Sequence, residues 1–284
     1  MRKVFLYFMV LGLLFSCKDS YNYVSRKGSL AKKLEYAKKF YEKSKFAKAQ
    51  PLLEEIYPQY KGKIEAEAIY FMLANSHYKL HDYLLASYHF DNFTQLYPAS
   101  TRVEECAFMH CICEFYKSYP PYLDQSITQA AIKQFQLFIN NYPESKYMVQ
   151  CNDHMDKLRV KLHHKAYSNA MLYYKIGDYK AATVAFSNAI KDYPDLPQKE
   201  EFEFLTVKAH YLYAKNSILK TQIERYTKAL EASKDYYAEN SQSKSAYNTD
   251  LKSLVTLIND GIKKAEQELL KKPLPAKPNP VSLN

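Results

Sequence analysis

The sequence predicts an all-α fold: an α-solenoid of about five helix pairs with a C-terminal capping helix. Three observations predict it. Glycine is scarce, at 5 residues in 284, and the prolines fall mostly between apolar stretches of helical spacing. Tyrosine is abundant, at 28, with no tryptophan; its ring buries between helices while its hydroxyl reaches the surface. Above all, one phrase recurs: aromatic-x-x-Ala-x-x-x-Φ-x-x-Φ, often followed by Tyr-Pro, where Φ is apolar. A small residue lets a neighbouring helix approach, and the bulky residue four positions on shares its face and fills the next gap. Such repetition means helical hairpins stacked in series, which is a binding architecture before it is a catalytic one.

The elements follow in chain order. Arg2 and Lys3 precede an apolar run, Val4 to Phe15, shorter than the roughly 20 residues a bilayer span needs. Residues 1–16 read as a signal peptide. Leu14-Phe15-Ser16-Cys17 resembles the lipobox of bacterial lipoproteins, in which Cys17 becomes the mature N-terminus. That resemblance implies a thioether-linked diacylglycerol and an amide-linked acyl chain such as palmitate on Cys17. An ordinary signal peptide, or an uncleaved anchor with an incidental cysteine, is the alternative. Lys18 stands where an Asp would retain a lipoprotein at the inner membrane, so it allows export to the outer membrane. Residues 17–28 read as a flexible lipidated tether.

Residues 29–143 carry repeats one to three. The first pair runs from Ser29, an expected N-cap, to Tyr57, with Leu30, Leu34, Ala37 and Tyr41 as its stripe and Phe46, Ala49, Leu53 and Ile56 as its copy of the phrase. The second runs from Lys63 to Tyr97, turns at Leu80 to Tyr83, and carries Tyr83, Ala86, Phe90, Phe93, Tyr97 and Pro98. The third begins near Thr101, where Thr101-Arg102-Val103-Glu104 has the form of a capping box. After an insertion around Pro120-Pro121 it carries Ala131, Phe135, Phe138, Tyr142 and Pro143.

Residues 144–270 carry repeats four and five and the cap. A long helix without Gly or Pro is expected from Glu144 to Tyr174, then a turn at Ile176 to Tyr179, then Ala182, Phe186, Ala189, Tyr193 and Pro194. The fifth pair spans Gln198 to Ala238 with Tyr226 and Ala229, and a final helix spans Ser245 to Leu270. The aligned alanines lie 37, 45, 51 and 47 residues apart, so the units contain insertions. Residues 271–284, dense in proline and lysine, read as a disordered tail.

The chain carries a net charge of +10, or +8 without Arg2 and Lys3. An exported protein rarely meets nucleic acid, so this charge points to anionic lipid, lipopolysaccharide or an acidic partner. Most of the run Lys32, Lys33, Lys38, Lys39, Lys43, Lys45, Lys48 reads as a solvated helix face. Cys106, Cys111, Cys113 and Cys151 lack the C-x-x-C pairing of a zinc site and read as small apolar residues at helix crossings; a disulfide such as Cys113–Cys151 stays open in an oxidising compartment. His77 and His81 lie four apart without the Glu of a His-Glu-x-x-His protease, and His163 and His164 diverge on a helix. With no Gly-rich phosphate loop and no nucleophile–base pair, no catalytic residue, cofactor or metal site is assigned.

Two segments carry a family resemblance. Tyr173-Tyr174-x-x-Gly177-Asp178-Tyr179-x-x-Ala182-x-x-x-Phe186-x-x-Ala189 resembles the tetratricopeptide consensus, with these residues as core packing positions. Residues 124 to 147, from Asp124-Gln125-Ser126 to Tyr142-Pro143-Glu144-Ser145-Lys146-Tyr147, and then Leu158 to Pro194, resemble repeats three and four of the BamD family. These are lipoproteins of the outer-membrane β-barrel assembly machinery. Tyrosine richness and Lys18-Asp19 suggest a Bacteroidetes member. The resemblance implies a non-enzymatic, lipid-anchored subunit at the periplasmic face of the outer membrane. Its C-terminal repeats would hold a periplasmic domain of the barrel insertase beside other subunits of the complex. Its N-terminal repeats would contact unfolded outer-membrane proteins, and Cys17 would enter outer-membrane lipid. The alternative is a tetratricopeptide envelope lipoprotein scaffolding cell-wall, secretion or glycan-uptake partners.

Overall fold

The computed structural model describes residues 21–271; the expected signal peptide at 1–16, Cys17 and the residues beyond Lys271 lie outside the described residues. Among the described residues there are twelve helices and no strand. They are α1 (Tyr21–Lys27), α2 (Leu30–Glu42), α3 (Phe46–Tyr60), α4 (Ala66–Lys79), α5 (Tyr83–Leu96), α6 (Val103–Lys117), α7 (Ser126–Asn141), α8 (Met148–Lys175), α9 (Tyr179–Asp192), α10 (Lys199–Lys215), α11 (Leu219–Asn240) and α12 (Ala246–Lys271). The fold is all-α and tetratricopeptide-like. No described helix is long and apolar enough to cross a membrane.

The chain forms two compact units, one running to Arg159 and one beginning at Val160. The division falls inside α8, not after Pro143. The first half of α8 places Cys151, Met155 and Leu158 in a core with Phe108, Ala131, Phe135 and Phe138, so it belongs with the third repeat. The second half places Ala170 among Ala182, Phe186 and Phe202.

The repeated alanines explain the hairpins. Ala49, Ala86, Ala131, Ala182 and Ala229 each have no exposed surface, and Leu53, Phe90, Phe135 and Phe186, four residues on, have none either. Ala37, Ala74, Cys111 and Ala170 are the matching small residues of the facing helices. Three of the second helices, α5, α7 and α9, then stop in one way. Tyr97, Tyr142 and Tyr193 donate their N–H to the carbonyls of Phe93, Phe138 and Ala189, and the proline that follows each has no N–H to continue the ladder. The starts of α5 and α9 match as well. Asp82 accepts from the Leu85 N–H and Asp178 from the Ala181 N–H, each after a left-handed residue, His81 at φ 62° and Gly177 at φ 82°.

Four local expectations are corrected. Residues 21–27, read as part of a flexible tether, form α1, because Val24 is fully buried in the first unit's core. Helix α3 passes Tyr57 and runs through Pro51 and Pro58, which lie on its exposed side, where water can serve the carbonyls that lose a donor. No capping box forms at Thr101; α6 starts after Arg102 without a side-chain cap, and the Arg102 guanidinium lies 4.2 Å from the Phe71 ring centroid instead. Lys33 is not on the solvated face but buried, in an ion pair with Glu55 of α3.

Two polar networks reinforce the first unit. In the insertion before α7, the buried Gln125 side chain donates to the carbonyls of Pro120 (2.8 Å) and Leu123 (3.1 Å) and accepts from the Thr128 hydroxyl (2.7 Å). Between α5 and α6, the buried Glu114 carboxylate accepts from the Ser87 hydroxyl and from Lys117 Nζ (2.7 Å). Burial pushes the Glu114 pKa up, but those two hydrogen bonds and the Lys117 charge outweigh it, so the carboxyl sits below its ordinary value.

Packing at the small–large pair predicts that Phe186→Ala costs about 3–5 kcal/mol. Ala182→Leu should cost about 1–3 kcal/mol through overpacking. Urea denaturation followed by helical circular dichroism reads both. A lowered carboxyl pKa stabilises above the unfolded value, and that contribution disappears as pH falls through the folded one. Glu114→Gln should therefore cost about 1–3 kcal/mol at neutral pH. The gap from the parent protein should narrow below the ordinary carboxylate range, as urea titrations at several pH values would show.

Candidate binding surfaces

Cys17, the one site residue assigned from the sequence, lies outside the described residues. The histidines do not form a metal centre. His77 is buried on α4, where its Nδ1 faces Asp82 Oδ2 at 3.1 Å and its ring stacks on His89 of α5 with centroids 5.1 Å apart. His81 has turned away in its left-handed conformation and meets the Tyr83 hydroxyl at 2.6 Å. Burial first, and the adjacent His77 second, push the His89 pKa down to about 4, so this ring is neutral at physiological pH. His89 also lies 3.1 Å from the Tyr70 hydroxyl, which makes the pair part of the α4–α5 core boundary. His163 is buried against Tyr193 and Asp195, whereas His164 points out beside Ser168. Among the described residues no group of three or more His, Cys, Asp or Glu side chains could hold a metal ion.

All four described cysteines are free and buried. Cys113 packs in the core of the first two repeats and Cys151 in that of the third, so the Cys113–Cys151 bridge is not formed. Burial pushes the Cys106 and Cys113 thiols up to about 12 and Cys151 up to about 11, with Cys111 raised as well. They are packing residues at helix crossings.

What remains are surfaces. In the first unit, Tyr83 and Tyr116 stack at 4.7 Å, and Tyr78 closes on both at 5.9 and 6.4 Å. Exposed Leu84, Leu85 and Tyr88 continue along α5 from Tyr83, and Tyr119 and Tyr122 are exposed in the insertion that follows α6. Burial raises the Tyr78 and Tyr83 hydroxyl pKa values, so these groups stay protonated and can donate. The apolar residues of α5 lie off the Ala86–Phe90–Phe93 face, and that mismatch with the repeat phrase is the sequence signal that marks them.

In the second unit, a hollow of about 410 Å³ opens between α10, α11 and α12. Tyr211, Tyr226 and Leu257 form its apolar wall, with Lys215, Lys264, Asp260 and Glu268 around it. Gly261 gives it depth, because a Cβ there would stand 2.6 Å from the Tyr226 ring. A second hollow, about 440 Å³, is lined by Tyr173, Asp178, Lys180, Val184 and Asn188 on α8 and α9. Tyr173, expected in the core, is 41% exposed there; its neighbour Tyr174 packs on Phe186 instead. Ala182 and Phe186 are core, and Tyr179 is half-buried against Tyr174.

These surfaces can grip an extended chain or a helix through aromatic and apolar contacts with charged rims, and none places a nucleophile beside a base. Comparison with known proteins agrees with a binding architecture. The profile of the YfiO family, described as outer membrane lipoprotein, matches residues 31–225. A protein of Aquifex aeolicus (strain VF5) that carries the name of an outer membrane protein assembly factor, BamD, is 27% identical over 219 residues, covering 72% of this chain and 67% of its own length. The matched span runs from α2 into the start of α11 and so reaches both units, while Tyr226, Leu257, Gly261 and the rest of the α12 side of the hollow of about 410 Å³ lie beyond it. The chain belongs to the YfiO family of outer membrane lipoproteins.

Proposed function

We propose that this protein is a non-enzymatic lipoprotein subunit of the machinery that assembles β-barrel proteins in the outer membrane, anchored through Cys17 at the periplasmic face. The observation that carries the reading is the family match across 31–225, which spans the stacked hairpins of both units. The likeness to a protein named as an assembly factor supports it. So does a surface made for holding polypeptide.

The two units divide the work. The first unit, with its Tyr83–Tyr116 stack and exposed Leu84 and Tyr88, contacts incoming unfolded barrel proteins, whose segments are rich in alternating apolar residues. The second unit, with the hollow around Tyr226 and Gly261, holds a periplasmic domain of the barrel insertase. Anchoring both in one lipid-tethered chain raises the local concentration of substrate at the insertase.

Depletion of the protein should lower several outer-membrane barrel proteins together. A mild-detergent pull-down should recover the insertase; recovery of cell-wall or secretion factors without it would favour the envelope-scaffold alternative. Mass spectrometry of the mature N-terminus should find Cys17 acylated, and an unmodified Cys17 would remove the anchor. The division of labour has its own test. Leu84→Asp with Tyr88→Asp should weaken cross-linking to unfolded barrel proteins by about thirtyfold or more, equivalent to losing one interface hot spot, and spare the insertase. Leu257→Asp should do the reverse.

A further inference from the structure

The charge of this chain is concentrated in one place. Residues 26–48 hold nine Lys and Arg against Glu35 and Glu42 alone, a net +7 of the chain's +10. Lys33 is withdrawn into the core with Glu55. Lys38, Lys39, Lys43, Lys45 and Lys48 are exposed, and none of the five enters an ion pair among the described residues. Lys39, Lys43, Lys45 and Lys48 gather at the end of the first hairpin, where α2 turns into α3.

The same end receives the chain from its N-terminus. The ammonium of Lys48 lies 5.4 Å from the ring centroid of Tyr21 and 5.7 Å from that of Phe40, and those two rings meet edge to face at 5.5 Å. Lys39 lies 5.5 Å from the ring of Tyr36. The aromatic rings support the lysine stems and leave the cations facing outward. Three residues separate Tyr21 from Cys17, and the four steps between them in fully extended chain reach at most about 14 Å. A lipid on Cys17 therefore holds Lys48, 5.4 Å from the Tyr21 ring, within about 20 Å of its attachment point, roughly two and a half Debye lengths at physiological salt even with the chain fully extended.

We infer that the α2–α3 end of the first unit docks on the anionic phosphate headgroups of the membrane leaflet in which Cys17 is anchored. The inference deepens the anchored-lipoprotein reading and rests on it. Acyl chains hold the chain to the surface, and the lysines add a second, electrostatic attachment that fixes which end of the first unit faces the bilayer. Lipid is the occupant rather than an acidic protein because the cluster lies at the point where the tether enters the fold, and because the rings among the cations suit the headgroup zone.

The test uses the mature chain carrying Cys17→Ser, so that no acyl chain contributes. It should co-sediment at about 0.1 M salt with phosphatidylcholine vesicles containing about 30 mol% phosphatidylglycerol, and not with phosphatidylcholine alone. Each lysine at the surface contributes about fivefold, so Lys39→Gln, Lys43→Gln, Lys45→Gln and Lys48→Gln together should lower partitioning about 100-fold or more. Lys38→Gln, Lys43→Gln and Lys45→Gln touch none of the aromatic contacts, so they keep the test valid if the fourfold variant is unstable; their combined loss should exceed about tenfold. The control Lys252→Gln, Lys263→Gln and Lys264→Gln on α12 should change binding less than about twofold if the effect is local rather than one of net charge. Equal binding by parent and fourfold variants, equal loss in the α12 control, or binding to polyglutamate but not to the vesicles would overturn the inference, the last favouring an acidic protein partner. An unmodified Cys17 alongside lysine-dependent vesicle binding would defeat the anchor and leave the surface contact standing.

Discussion

Everything in this structure depends on how closely two helices can approach. In each repeat a residue with almost no side chain sits at the crossing, at Ala49, Ala86, Ala131, Ala182 and Ala229, and the backbone of the facing helix comes in over it. At the first four the close approach brings a bulky residue one turn later, Leu53, Phe90, Phe135 or Phe186, into a gap it fills completely. Because the contacts are between sequence neighbours, the core is not one body of apolar residues but a series of small ones, and within each unit neighbouring hairpins stabilise one another. The packing positions leave charge and shape on the outside free of that constraint.

The periodic part of the fold was legible in the sequence because the helix period and the repeat phrase are short-range signals. Ser29 caps α2 as its hydroxyl suggested, and Asp178 caps α9 at the turn where Gly177 takes its left-handed conformation. Misreadings arose where tertiary contact overrode local chemistry. Val24 buries and so orders α1, Lys33 goes inward because Glu55 awaits it, and Arg102 lies on Phe71 rather than letting Thr101 cap the next helix. Pro51 and Pro58 look like helix ends in isolation, but their neighbours Leu52, Leu53, Tyr57 and Tyr60 bury well enough to carry the helix through both. The surfaces were least legible, since which of Tyr173 and Tyr174 faces out depends on where Phe186 lies.

The exterior is also unevenly made. Aromatic and aliphatic side chains are exposed on α5 and after α6, a hollow with mixed charge opens beside α12, and the cations are drawn to the first hairpin. A protein that holds others at a membrane has reason for all three kinds of surface, and it can keep them apart because stacked hairpins offer many separate faces.

The sealed thiols carry a consequence for biogenesis. Cys106, Cys111, Cys113 and Cys151 are reached by no solvent to speak of once the hairpins close, and their sulfurs resist ionising there. On the proposed route, export through an oxidising compartment would expose them to disulfide formation while the chain is still open. Hairpins assembled from near neighbours favour fast closure, which would shorten the time in which a wrong bridge could form. Any lesion that slows the third repeat would thus first be seen as cross-linked, misjoined protein rather than as a weaker grip on a partner.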